Sequence, residues 1–152
     1  MSLIDNQPDT GAQGSVSAAK AGVENSGAEY GKGNLVSVQR IIPNLTTTNM
    51  DATKDFYTRM VGLQVVMDLG WIVTLADPAS PDRQISLLTH DATAPVVPSV
   101  SIEVADVRDA YRRAQETAAD IVHPLTDEPW GVRRFFVRDP SGHVINILSH
   151  AK

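Results

Sequence analysis

The sequence predicts an α+β domain of two tandem βαβββ modules that wrap into a half-open barrel around a central cleft, and three observations carry that prediction. Residues 84–90 read Gln-Ile-Ser-Leu-Leu-Thr-His and residues 144–150 read Val-Ile-Asn-Ile-Leu-Ser-His, so Ile85 pairs with Ile145, Ser86 with Asn146, Leu88 with Leu148 and His90 with His150. Asp77-Pro78 precedes the first segment as Asp139-Pro140 precedes the second. Each half also opens with a strand that runs into a capped helix.

The chain divides near residue 36. Residues 1–35 hold six of the ten glycines among scattered Ser, Ala, Asn and Asp, with neither helical nor strand periodicity, and are expected to form a flexible tail. Residues 36–152 are expected to form the domain, with modules over about 38–92 and 97–150. The first module starts with a strand over residues 36–47, in which Ile41, Pro43 and Leu45 face one way and Ile42, Asn44 and Thr46 the other. Pro43 has no N–H to give a ladder, which predicts an edge or an irregular position. Asn49 is the candidate N-cap, with Asp51 in the first turn, where the helix dipole favours negative charge. Met50, Thr53, Tyr57, Met60 and Val61 share one helical face, and Gly62 ends the helix. Strands over about 63–69, 71–76 and 83–90 follow, separated by Gly70 and by the Asp-Pro-Ala-Ser-Pro-Asp run.

The second module repeats this order, with Asp106 in the capping role of Asn49, 57 residues on (106 − 49). In the strand before it, Ser99, Ser101 and Glu103 face one way and Val100, Ile102 and Val104 the other. The helix after it buries Val107, Ala110, Tyr111, Ala114 and Ala118, at spacings of three and four. A short strand at 120–123, a loop through Pro124 and Trp130, a strand at 133–138, the Asp139-Pro140-Ser141-Gly142 turn and the closing strand complete it. Within 133–138, Arg134, Phe136 and Arg138 are expected on the cleft side, and Arg133, Phe135 and Val137 on the helix side.

At 152 residues and 42% hydrophobic content, one domain with an ordinary core is expected. A net charge of −5, with no block of Lys or Arg, argues against nucleic acid or an anionic membrane as partner. The absence of Cys removes disulfides, thiolate nucleophiles and sulfur ligands and suits a cytoplasmic location. No apolar run approaches the roughly 20 residues of a membrane span, and no signal-peptide core is read at the N-terminus.

The helix Asp51-Ala-Thr-Lys-Asp-Phe56-Tyr57 followed by Val61-Gly62-Leu63, and Arg138-Asp139-Pro140-Ser141-Gly142-His143 before an Ile-x-Ile strand, resemble the vicinal oxygen chelate superfamily. That superfamily holds glyoxalase I, extradiol dioxygenases, fosfomycin-modifying enzymes and bleomycin resistance proteins, and the resemblance covers about residues 38–150. It implies a glyoxalase/bleomycin resistance/dioxygenase-like fold, and one fold hosts many chemistries. Its enzymes hold a divalent ion with His, Gln or Glu from the first and last strand of each module. Carried over, those positions look like Ile42, Ser99, Ser86 and Asn146, and a two-residue slip would substitute Asn44, Ser101 and Gln84 or Leu148. Neither set supplies the carboxylates and imidazoles that zinc, iron or manganese need. No cofactor is therefore expected, with a divalent metal on displaced ligands kept as the alternative. His90, His123, His143 and His150 are read as solvated surface side chains at strand ends, a loop and a turn.

There is no Gly-x-Ser-x-Gly elbow and no Gly-rich phosphate loop. Glu103, on the face of Ser99 and Ser101, is the one candidate catalytic residue, as a general base. Ile42, Asn44, Ser99, Ser101 and Asn146 are expected on the cup floor, Trp71 and Trp130 as its walls, and Arg134 and Phe136 beside them. Apolar surface with a few placed polar groups suits a small-molecule site, and an indole stacks on flat rings or holds a cation. The segment from Glu128 to Arg133 resembles the metal-free bleomycin-resistance branch, which implies a homodimer that binds a small aromatic or cationic molecule. The competing expectation is an enzyme: a metal-dependent lyase, isomerase or dioxygenase, or a metal-free reaction with Glu103 as base. A third is an accessory subunit whose cleft is filled by its own tail.

Overall fold

A computed structural model describes residues 36–151, and the predicted tail lies outside them. The chain order is β1 (Val38–Thr46), α1 (Met50–Val61), β2 (Gln64–Asp68), β3 (Ile72–Asp77), β4 (Ser80–Leu88), β5 (Val100–Val104), α2 (Val107–Glu116), β6 (Asp120–Asp127), β7 (Val132–Arg138) and β8 (Val144–His150). The strands form one eight-stranded sheet in the order β2-β3-β4-β1-β5-β8-β7-β6. β1 and β5 meet antiparallel at its centre, with Ile42 opposite Ser101 and Pro43 opposite Val100. On either side, β1 pairs parallel with β4 and β5 parallel with β8, so the halves repeat one pattern about that central pair. Both modules of the cup come from one chain, and among the described residues β2 and β6 are the edges of the sheet.

Of the two positions expected for Pro43, an edge or an irregular site, the structure gives the second: it lies in a central strand, just before pairing with β4 begins. The Asn44 N–H donates across to Ser99 at 3.0 Å. Alternation therefore turns the Pro43 nitrogen toward β4, where pairing begins only at Asn44, and the missing donor costs no bond.

The helices form where the caps predict. Asn49 accepts from the Ala52 N–H, and Gly62 ends α1 at φ 74°, a left-handed conformation that glycine adopts without steric cost. Asp106 accepts from Arg108 and Asp109, whose N–H groups would otherwise lack partners at the helix start. Val107, Ala110 and Ala114 of α2 are buried against Val104 and Phe135, with Tyr111 packed beside them. Ala118, expected on that face, lies beyond the helix in a left-handed conformation at φ 52° and is exposed. α1 has no buried residue; Met50 and Tyr57 pack partly on Val73, Leu75 and Leu87, while Met60 and Val61 are exposed.

Two boundaries differ from expectation. β4 begins at Ser80 because Asp77 Oδ1 accepts from the Ala79 N–H at 2.9 Å and closes the turn within two residues. β6 continues through Pro124 to Asp127, taking up the irregularity as register shifts around His123.

Candidate functional site

The concave face of the sheet holds a cavity of about 330 Å³. Side chains at alternate positions point into it: Arg40 and Ile42 from β1, Gln84 and Ser86 from β4, Ser101 from β5, and Asn146, Leu148 and His150 from β8. Trp71 and Trp130 lie in equivalent hairpin turns of the two modules. Their rings meet edge to face with centroids 5.3 Å apart, joining the two ends of the sheet across the cavity.

The floor is a neutral hydrogen-bonded layer. Asn44 Nδ2 and Asn146 Nδ2 each donate to Ser101 Oγ at 2.9 Å, and Thr74 and Ser86 share a hydroxyl bond of 2.8 Å. Among the described residues, Asn146 Oδ1 is buried without a partner, which is uncommon for a polar atom.

Of the residues expected to bind ligand, Ile42, Trp71, Ser101, Trp130, Arg134 and Asn146 line the cavity. Three do not. Ser99 is exposed just before β5, where its backbone, not its side chain, does the bonding. Asn44 lies buried beneath Ser101. Phe136 faces the cleft side as expected but is fully buried between His123 and Arg134.

Arg134 is committed elsewhere. Its Nη1 and Nη2 grip Asp91 at 2.9 and 2.8 Å, its Nε donates to Glu128 at 2.9 Å, and Nη2 also reaches Thr93 at 2.8 Å. The guanidinium lies 5.0 Å from the Trp130 ring centroid and 4.8 Å from that of Phe136. Its side chain is 5% exposed, with Asp91 and Glu128 at 0% and 2%, so this is a desolvated ionic cluster holding the inter-module linker to β7. His123 belongs to it: the residue expected in a solvated loop is buried in β6, with Nε2 3.5 Å from Glu128 Oε1. The other three histidines are exposed.

Glu103 does not reach the cavity lining. Arg40 Nε donates to its Oε2 at 2.6 Å, and its Oε1 is 2.7 Å from His150 Nδ1. Arg40 Nη1 donates in turn to Gln84 Oε1 at 2.9 Å. The sequence reading missed Arg40, gave Gln84 only as a metal position under a two-residue slip, and missed Asp91. Alternation from Ile42 and Ser86 reaches the first two, whereas Asp91 lies in the linker, where no periodicity applies.

The positions carried over for a metal hold Ile42, Ser86, Ser99 and Asn146, and of Ser99 and Ser101 only Ser101 lines the cavity. One alkyl group, hydroxyls and an amide do not make a donor set for a divalent ion. Among the described residues, no three His, Asp or Glu side chains cluster as metal ligands.

A doubled βαβββ sheet cupped around a cavity is the α+β architecture of a glyoxalase-type fold. The family model described as Glyoxalase/Bleomycin resistance protein/Dioxygenase superfamily matches residues 37–147, and the chain belongs to that superfamily. Similar solved structures include a superfamily member from Vibrio splendidus 12B01, 19% identical with TM-score 0.57, covering 74% of this chain and 99% of that one. Methylmalonyl-CoA epimerase from Mycobacterium tuberculosis is 17% identical with TM-score 0.57, covering 79% and 92%. An extradiol ring-cleaving dioxygenase from B. fuscum is 17% identical with TM-score 0.58, covering 77% of this chain and 34% of that longer one. At these identities the likeness concerns the fold. No curated protein matches the sequence.

Proposed function

We propose that this protein captures a small aromatic molecule in the cleft between its modules, without a metal and without transforming it. The observation that carries the reading is the cavity lining: two indoles above a layer of neutral hydroxyl and amide groups, at the positions where the resemblance places metal ligands. The cationic half of the expectation finds less support. No Asp or Glu lines the cavity, and Arg134 already occupies a face of Trp130. Catalysis by Glu103 is disfavoured because its carboxylate lies outside the lining, on Arg40 and His150.

The same proposal includes a cytoplasmic homodimer that binds neither nucleic acid nor membrane. Exposed Phe56, Met60 and Val61 on α1 support self-association. Among the described residues, no helix is long and apolar enough to cross a membrane. Light scattering on the full chain tests the dimer, with a monomer at micromolar concentration counting against it.

The principal test is a titration of chelator-stripped protein with zinc, nickel, manganese and iron(II), following melting temperature and Trp fluorescence. The expected outcome is no saturable change with any ion. Tight one-to-one binding of one of them would overturn the metal-free reading and favour a metal-dependent lyase, isomerase or dioxygenase.

A further inference from the structure

We propose that the ligand of this cavity is an aromatic acid, with its carboxylate gripped by Arg40; this deepens the reading above and rests on it. Two cations with guanidinium groups line the cavity, and they differ in what they have left to give. Arginine carries five N–H donors. In Arg134, all three nitrogens are bonded to Asp91, Glu128 and Thr93. In Arg40, Nε donates to Glu103 and Nη1 to Gln84, while Nη2 has no partner among the described residues. Three Arg40 N–H groups therefore remain, enough for the paired donation that a carboxylate accepts.

The group is also held in place. Glu103 is fixed from its other side by His150 at 2.7 Å. The Gln84 amide is oriented by its Nε2, which donates to the Pro81 carbonyl at 2.7 Å and leaves Oε1 to Arg40. A guanidinium positioned by two neighbours loses little freedom on binding an anion. The Arg40 side chain is 21% exposed, so it is reachable. With Arg40 and His150 at one rim, no acid in the lining, and Trp71 and Trp130 along the wall, the cavity offers aromatic walls over a neutral floor, with guanidinium donors at one rim. About 330 Å³ lies at the small end of the range for ligand sites and suits one or two fused rings.

The test compares three probes of equal size on the full chain by Trp fluorescence or calorimetry: 2-naphthoate, 2-naphthamide and 2-naphthylmethylammonium. In wild type, the carboxylate is expected to bind at least about tenfold tighter than the amide, and the ammonium weakest. In Arg40→Gln, carboxylate and amide are expected to converge while amide affinity is kept, which also shows that the variant is folded. Equal binding of carboxylate and amide to wild type would overturn the acid assignment while leaving aromatic capture intact. Tightest binding by the ammonium would overturn it in favour of a cationic ligand. Failure of all three to bind would overturn the capture reading itself. The wild-type comparison needs no variant, so an unstable Arg40→Gln leaves the test decisive.

Discussion

Opposite Asn146, module two places Phe136; opposite the equivalent Ser86, module one places Thr74. Two positions earlier on the same strands, Arg134 of module two answers to Ile72 of module one. Module two therefore fills its concave side with a buried ring and an ionic cluster, whereas Thr74 and Ile72 leave room, and both line the cavity. The helix sides differ as well. α2 buries three residues on a core that includes Phe135, while α1 buries none. One duplicated plan has produced a filled half and an open half, and the site is the space that the open half does not fill.

The largest effect expected from breaking this division is at Arg134. Arg134→Ala would leave Asp91 and Glu128 buried without their cation and should destabilise the fold by about 3–5 kcal/mol in urea unfolding. Its module-one counterpart Ile72 is half-buried, and Ile72→Val should cost only about 1 kcal/mol. Equal losses at the two sites would mean that the cluster does not distinguish module two in stability.

Thr74→Phe would give module one the ring that module two has, and is expected to abolish naphthoate binding in the fluorescence titration. Retained affinity would place the ligand away from the floor.

A third contrast concerns the ends of the helices. Gly62 and Ala118 both take left-handed backbone conformations, but only one of them is glycine. Ala118→Gly should stabilise the protein by about 1 kcal/mol, and Gly62→Ala should cost a similar amount, since a methyl group on Gly62 would meet nothing within 4 Å and only backbone strain is at issue. Hydrogen exchange should in parallel show α1 amides opening before those of α2, because α1 has less buried surface to lose.

The smallest effect expected is acid sensitivity, and it falls on module two. Hydrogen bonds from Arg112 and then Arg113 hold Asp109 below its ordinary value of 3.8, and one from Arg133 holds Asp127 below it. At Asp139, burial pushes upward but is outweighed by bonds from the backbone and ring of His143 and from Ser141, leaving its pKa lowered. A carboxylate with a lowered folded-state pKa contributes stability that is complete above its unfolded value near 4 and is lost as pH falls through the folded value. All three groups are at the surface, so the loss should be slight. A melting temperature falling modestly below about pH 4, and less so in Asp109→Asn, would bear this out.

Much of the architecture is local and therefore legible in the chain. The caps at Asn49 and Asp106, the stop at Gly62, the alternation that puts Ile42 and Ser101 on the cup side, and the 84–90 and 144–150 echo each depend on neighbours a few residues away. Assigning Phe135 to the helix side and Arg134 to the cleft side rests on the same period of two. Tertiary structure decided what each cleft-side residue does there. Arg134 and Arg40 share residue type and face, yet one meets two buried carboxylates, from its own hairpin and from the inter-module linker, and the other keeps donors free. His123, Ser99 and Phe136 were misplaced for the same reason. Their surroundings are set by register shifts in β6, by where β5 starts, and by how far the two halves close on each other. Those are properties of strand pairing across tens of residues, and no spacing along the chain encodes them.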